Sequence, residues 1–114
     1  MIIAQINDEI AGYVTVNKEI PPEYNEIPLK FSPKICVHRL SVNPAFGRLG
    51  IATSLMEYVH KEYKARGYFA ICLDTCEDNT AALGLYEKLG YRRRGYVTFP
   101  RKPKFKFPVM ERKL

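Results

Sequence analysis

The chain has 114 residues, 46% of them hydrophobic, which is enough apolar material for one core and too little for two, so a single domain over residues 1–114 is expected. Eighteen Lys and Arg against twelve Asp and Glu give a formal net charge of +6, and three cysteines, an odd number, argue against a disulfide framework. No apolar run reaches transmembrane length and no cationic, small-residue leader is visible, so the expectation is a soluble cytoplasmic protein with no membrane partner.

Met1 to Ile6 and Ala11 to Val16 alternate partly between apolar and polar residues around Asn7-Asp8-Glu9, which predicts an antiparallel hairpin. Lys18 to Lys34 carries Pro21, Pro22, Pro28 and Pro33 and no period; it is a long surface loop, either bordering a binding site or a solvated connector. Ile35 to Val42 has the composition of a strand. From Ile51 to Arg66 the apolar residues Ala52, Leu55, Met56, Val59 and Tyr63 recur at helical spacing, and Gly67 stands where a left-handed C-terminal cap belongs. The next strand, Tyr68 to Thr75, returns through that helix, so a right-handed crossover makes it a parallel neighbour of Ile35 to Val42. Asn79 can cap a second helix whose stripe is Ala82, Leu85, Tyr86 and Leu89, ending at Gly90. Tyr91 to Phe99 and Phe105 to Arg112 form a closing hairpin around Pro100 and Pro103. The sum is an α/β chain of the α+β type, with a mixed central sheet of about six strands and two main helices.

Cys36 and Cys72 fall in predicted strands, where cysteine behaves as a small buried hydrophobe, and Cys76 near a strand end is a candidate exposed thiol. Cys72-x-x-x-Cys76 lacks zinc-ligand spacing and a matching histidine pair, so no metal is expected.

Chemistry enters at Asn43-Pro-Ala-Phe-Gly-Arg-Leu-Gly-Ile-Ala52, a glycine-bearing turn between a strand and a helix. Amides at a helix start have no intrahelical partner and the dipole favours negative charge there, so a loop with Gly47, Arg48 and Gly50 can wrap a pyrophosphate. The segment lacks the Gly-Lys-Ser/Thr ending of a P-loop, and Gly47-x-x-Gly50 is not a dinucleotide-binding G-x-G-x-x-G. A plain strand-to-helix turn uses the same letters.

A second segment, Asp74-Thr-Cys-Glu-Asp-Asn79-Thr-Ala-Ala-Leu-Gly-Leu-Tyr86-Glu-Lys-Leu-Gly90-Tyr91, narrows the choice. Together with Leu40 to Ala52 it resembles the GNAT superfamily of acetyl-coenzyme A-dependent N-acetyltransferases. The loop pattern Gln/Arg-x-x-Gly-x-Gly/Ala is matched at Gly50 and Ala52, and Asn-x-x-Ala-x-x-x-Tyr-x-x-x-Gly-aromatic at Asn79, Ala82, Tyr86, Gly90 and Tyr91. The family's Gln or Arg falls at Gly47, which leaves Arg48 as the nearer cation. The resemblance runs from about Met1 to Leu114. The strand and two helices that usually precede this region in the family are not seen, so a short member is expected, with a homodimer as one way to cover the face they would occupy.

The resemblance implies the GNAT-like acyl-CoA N-acyltransferase fold, with acetyl-CoA as cosubstrate in a gap between the two parallel central strands. It implies that pantetheine runs along Leu40, Ser41 and Val42, and that the stretch Gly47, Arg48, Leu49, Gly50, Ile51 and Ala52 cradles the pyrophosphate. It places Asn79 against the cofactor from the other side and Tyr86 at the departing sulfur, as general acid. Tyr86 also fits as a core aromatic of the helix stripe, and Asn79 as a simple N-cap.

No carboxylate occupies Ile35 to Leu40, where some family members place a general base; His38 lies there, as a catalytic group or as a packed or solvated histidine. Glu23, Glu26 or water are further relays. The acceptor is expected to be a primary amine of a small molecule or protein. The alternative class is a non-catalytic module binding coenzyme A or RNA. It draws on Arg92, Arg93, Arg94, Arg101, Lys102, Lys104 and Lys106 interleaved with Tyr96, Phe99, Phe105 and Phe107. Strand alternation with solvated charges explains that run better than nucleic acid does.

Overall fold

The computed structural model describes residues 1–47 and 49–114. Asn7 and Asp8 both take positive φ, 50° and 66°, in the two-residue turn whose twist matches that of flanking strands, and so join β1 (Ile2–Ile6) to β2 (Glu9–Asn17) as a hairpin. β2 pairs antiparallel with β3 (Lys34–Val42), and the chain then enters α1 (Ile51–Ala65). β4 (Ala70–Asp74), α2 (Thr80–Lys88), β5 (Arg92–Phe99) and β6 (Lys102–Lys113) complete a six-stranded sheet of order β1-β2-β3-β4-β6-β5. The closing hairpin forms as expected, but β6 inserts between β4 and β5, so the last strand and not the penultimate one covers the flank of β4.

β3 and β4 are parallel neighbours over only three residue pairs, Lys34 with Ala70, Ile35 with Ile71 and Cys36 with Cys72. Beyond them β3 stays with β2, β4 stays with β6, and a gap opens between them.

Both helices lie on one face. Leu55, Met56 and Val59 of α1 and Leu83 and Tyr86 of α2 pack with Val14, Ile35, Val37, Ile71, Leu73 and Met110 from the sheet. The predicted stop signals hold: Gly67 and Gly90 take φ of 95° and 94° just past the two helices, a conformation costly for any side chain.

The other face carries a smaller core of Cys36, Cys72, Val97, Phe99, Phe107 and Val109, closed by the proline-rich segment. That segment is not a solvated connector. It holds a 3₁₀ turn, Pro22–Glu26, whose Tyr24 is 2% exposed, and it packs Ile20, Ile27 and Leu29 on the same core. Cys36 and Cys72 sit side by side in the parallel seam as buried free thiols, while Cys76 is half-buried against this core. Among the described residues no helix is long and apolar enough to cross a membrane, and no His, Cys, Asp and Glu cluster could hold a metal ion.

Glu111 of β6 fastens the loop to the sheet. Its carboxylate is 1% exposed and accepts from the backbone N–H of Lys30 and Phe31, at 2.9 and 3.1 Å, and from Arg94 Nε at 3.0 Å. Removing one member of a buried, hydrogen-bonded charge pair strands the other. Glu111→Ala is therefore expected to lower the unfolding free energy by about 3–5 kcal/mol in urea denaturation, far more than Glu87→Ala at the exposed Arg93–Glu87 pair. Equal, small effects of the two would show that Glu111 does not anchor the loop.

Candidate functional site

The gap between β3 and β4 becomes a site because of a local irregularity in β3. Val37 pairs with Val16 and Arg39 with Thr15, so His38 is an extra residue in a bulge. The extra residue resets the alternation, and Leu40 joins Val37 on the helix-side core. Past Cys36 the edge of β3 that faces β4 has no strand partner, leaving its backbone groups directed into the gap.

The gap is a cleft of about 420 Å³. Leu40 and Val42 line it from β3, Ala52 from the first turn of α1, Asp74 and Thr75 from the end of β4, and Asn79, Ala82, Leu85 and Tyr86 from α2. It thus lies at the carboxyl ends of the two parallel strands, where neighbouring strands diverge to different partners, a position at which open α/β sheets bind ligands.

At its α1 end the cleft offers amides that have no partner among the described residues. Gly50 is the N-cap of α1 with φ 71° and ψ 24°, no side chain caps the helix, and its first turn holds no acid. The bond from Ser54 N–H to the Gly50 carbonyl is the first of the helix, so the amides of Ile51, Ala52 and Thr53 precede the ladder. Close approach of α1 to the sheet depends on Gly12: a Cβ there would stand 2.8 Å from the Ser41 carbonyl oxygen and 3.0 Å from Ile51 Cγ2. Gly47, by contrast, has φ −58°, which any residue adopts, and closes a 3₁₀ turn over Pro44–Phe46 that Asn43 caps. Leu49 is exposed, and Ser41 is half-buried on β3. Arg48 lies outside the described residues.

At the α2 end, Asn79 does act as a cap: its Oδ1 accepts from Ala82 N–H at 3.1 Å while the residue lines the cleft. Tyr86 is 6% exposed, belongs to the core as the helix stripe predicts, and also lines the cleft. Its ring packs edge-on to Tyr91 with centroids 5.5 Å apart. Burial, with the nearby Asp74 charge, pushes its phenol up to about 12.

His38 is not in the cleft lining. It is exposed on the bulge, with Nε2 2.7 Å from Asn17 Oδ1. The titratable group that the fold does bring to Tyr86 is Asp74. The Tyr24 hydroxyl donates to Asp74 Oδ2, which leaves the carboxylate with lone pairs for the cleft. Burial raises the Asp74 carboxyl above its ordinary range, against the lowering effects of the Tyr24 hydrogen bond and the Arg101 charge. Burial and the Asp74 charge hold the Tyr24 hydroxyl protonated as the donor. Asp74 is absent from the sequence-based candidates; it stands in the sequence as a single acid closing the run Ala70-Ile-Cys-Leu, and a carboxylate at the end of a buried parallel strand is the signal by which it could have been found.

A family model described as acetyltransferase (GNAT) matches residues 1–91. An acetyltransferase of Pectobacterium atrosepticum is 32% identical over 97 residues, covering 85% of this chain, which spans only 60% of that relative's length. The crystal structure of a putative acetyltransferase from Staphylococcus aureus Mu50 superposes with a TM-score of 0.75 at 28% identity, covering 97% of this chain and 69% of that one. That of an aminoglycoside 6'-N-acetyltransferase complexed with coenzyme A superposes at 0.73 and 21% identity, covering 97% and 70%. The match over residues 1–91 spans the parting strands, the glycine-started α1 and α2: this chain belongs to the acetyltransferase (GNAT) family.

Proposed function

We propose that the chain is an N-acetyltransferase that uses acetyl-CoA to acetylate a primary amine. The observation that carries this is the meeting, in one cleft, of uncapped α1 amides, an unpaired β3 edge, and the side chains of Tyr86 and Asp74. The donor set fits the cosubstrate. Amides of residues 50–53 suit a pyrophosphate, because the unpartnered N–H groups and the helix dipole both favour an anion. The open edge at Leu40, Ser41 and Val42 suits an extended chain carrying amides, which pairs with it as an added strand. Asn79, already held as a cap, and the small side chains of Ala52 and Ala82 leave room from the other side.

Acetyl-CoA supplies a thioester, whose carbonyl carbon is the electrophile and whose sulfur departs. The chain's own work is positioning and proton handling. Backbone N–H on the β3 edge stabilises charge as it develops on the carbonyl oxygen. Asp74 accepts the proton of the attacking amine: its raised pKa makes it a stronger base than an exposed carboxylate, and its place beside Tyr86 puts it at the reacting end of the cleft. Tyr86 donates a hydrogen bond to the departing sulfur. Full proton transfer from a phenol near 12 to a thiolate near ~8.5 is uphill by about 5 kcal/mol, so stabilisation of the sulfur is the role its environment supports. We assign the onward relay of that proton to solvent to His38 and Glu23, whose charges both act on Asp74. The two buried thiols at Cys36 and Cys72, facing each other unlinked, suit a reducing compartment, and we place the protein in the cytoplasm.

Calorimetry with acetyl-CoA is expected to show one site per chain; no binding would remove this function, and binding without thiol release across an amine panel would leave a silent coenzyme A-binding module. Tyr86→Phe is expected to lower kcat about 10- to 100-fold with cosubstrate affinity retained. Unchanged turnover would end its proposed role. For Asp74 the sign follows from the base form being active. kcat/KM is low below its raised carboxyl pKa and climbs as pH rises through it, and Asp74→Asn is expected to abolish that limb in a pH–rate profile.

A further inference from the structure

Arg101, at the turn between β5 and β6, is a cation whose charge reaches Asp74 at this reacting end. Its guanidinium carbon lies 4.4 Å from the centroid of Phe99 and 5.7 Å from that of Phe107. Those two rings are buried and packed edge to face, 4.9 Å apart at 81°, so the platform beneath the guanidinium is fixed. Phe107 shares a face of β6 with Val109, the residue paired with Asp74, and Tyr24, which bonds Asp74, belongs to the same cluster. The stack therefore stands on the Asp74 side of the sheet, one step along β6. The Arg101 charge accordingly acts on Asp74.

Arg66, Arg93 and Arg94 are each neutralised by a glutamate; Arg101, like Arg39, Arg92 and Arg112, has no ion pair among the described residues, and what sets it apart is the pair of buried rings beneath it. Lys106, the next residue before Phe107, alternates to the opposite face and covers Tyr96. A guanidinium laid on a ring keeps its in-plane N–H fork free, the geometry that takes a carboxylate in two parallel hydrogen bonds. Glu23, on the far side of Tyr24, also acts on Asp74 and repels an anion from the loop side. The charges are thus ordered across the site: acids where an ammonium enters, a cation where an anion would rest.

We infer that Arg101, seated on Phe99 and Phe107, selects the acceptor, and that the acceptor is an amine carrying a carboxylate. This rests on the acetyltransferase function proposed above. The shared chemistry, amine plus nearby carboxylate, has two sources: a free amino acid, or the N-terminus of a polypeptide with an acidic residue next to it.

The test is a paired panel with acetyl-CoA as donor: amino acids against their amides, and peptides with Glu against Gln at the second position. The wild-type chain should favour the carboxylate partner by about tenfold or more in kcat/KM, Arg101→Gln should bring the ratio near one, and Arg101→Lys should restore part of it. The pair with the larger ratio identifies the source. No preference in the wild type, or a loss in Arg101→Gln that is equal for both partners of a pair, overturns the assignment. Calorimetry of an N-acetyl amino acid against its amide, with coenzyme A present, makes the same comparison without turnover. Arg101-dependent discrimination in binding but no acetyl transfer would sink the acetyltransferase function and keep this inference; transfer without discrimination would do the reverse.

Discussion

The parallel seam between β3 and β4 is three residue pairs long, and the rest of the molecule is arranged around its being no longer. Two strands that part in mid-sheet expose backbone groups that must find partners. β4 finds them on its other side, where β6 pairs along its whole length, and β3 finds half of its own with β2. The bulge at His38 adds twist at the point of parting and resets the alternation, so that β3 leaves β4 without withdrawing Leu40 from the core. What stays unsatisfied is one edge of β3 and the start of α1, both opening on the same cleft.

Packing on the two faces makes that cleft rigid. On one side α1 is set low on the sheet because Gly12 offers no Cβ to the Ser41 carbonyl, and Ile51 and Leu55 occupy the space. On the other side the proline-rich loop is tied twice, by Tyr24 to Asp74 and by its Lys30 and Phe31 amides to Glu111. Buried polar groups are costly unless paired, and both carboxylates here are paired within the chain. Asp74 differs from Glu111 in having cleft on one side. A structural tie and the base proposed for the reaction thus share one chemistry and differ in their access to the cleft.

Most of this architecture was legible in the residues, because strongly periodic elements advertise themselves. α1 was read as Ile51 to Arg66 and runs Ile51–Ala65, and Gly67 and Gly90 mark their stops by a backbone conformation that side chains avoid. Local signals could not distinguish Gly47 from Gly50: only the fold shows that Gly50 takes the left-handed conformation and that Gly47 does not. The order of β5 and β6 was hidden because a hairpin looks the same whichever arm docks on the sheet. Tyr24 was hidden because its burial comes from residues far along the chain, Cys72, Phe107 and Val109. Asp74 was in view yet unassigned, since the role proposed for it depends on Tyr86, twelve positions ahead, which the turn from β4 into α2 brings into the same cleft lining.

The electrostatics of the cleft favour one direction of proton flow. Burial penalises the charged form of each group, and it does so for both Asp74 and Tyr86, raising each. For a base that shift is a gain, since a carboxylate poised higher holds a proton better at neutral pH. For an acid it is a loss, because a phenol near 12 yields its proton less readily than one in water. The Asp74 charge adds to this by opposing ionisation of Tyr86. For the N-acetyltransferase function proposed above, this cleft suits removal of a proton from the incoming amine better than delivery of one to the leaving sulfur. A thiol is a tolerable leaving group as its anion when a hydrogen bond meets it, whereas an ammonium cannot attack at all. The step that most needs help is the one for which burial has strengthened the available side chain.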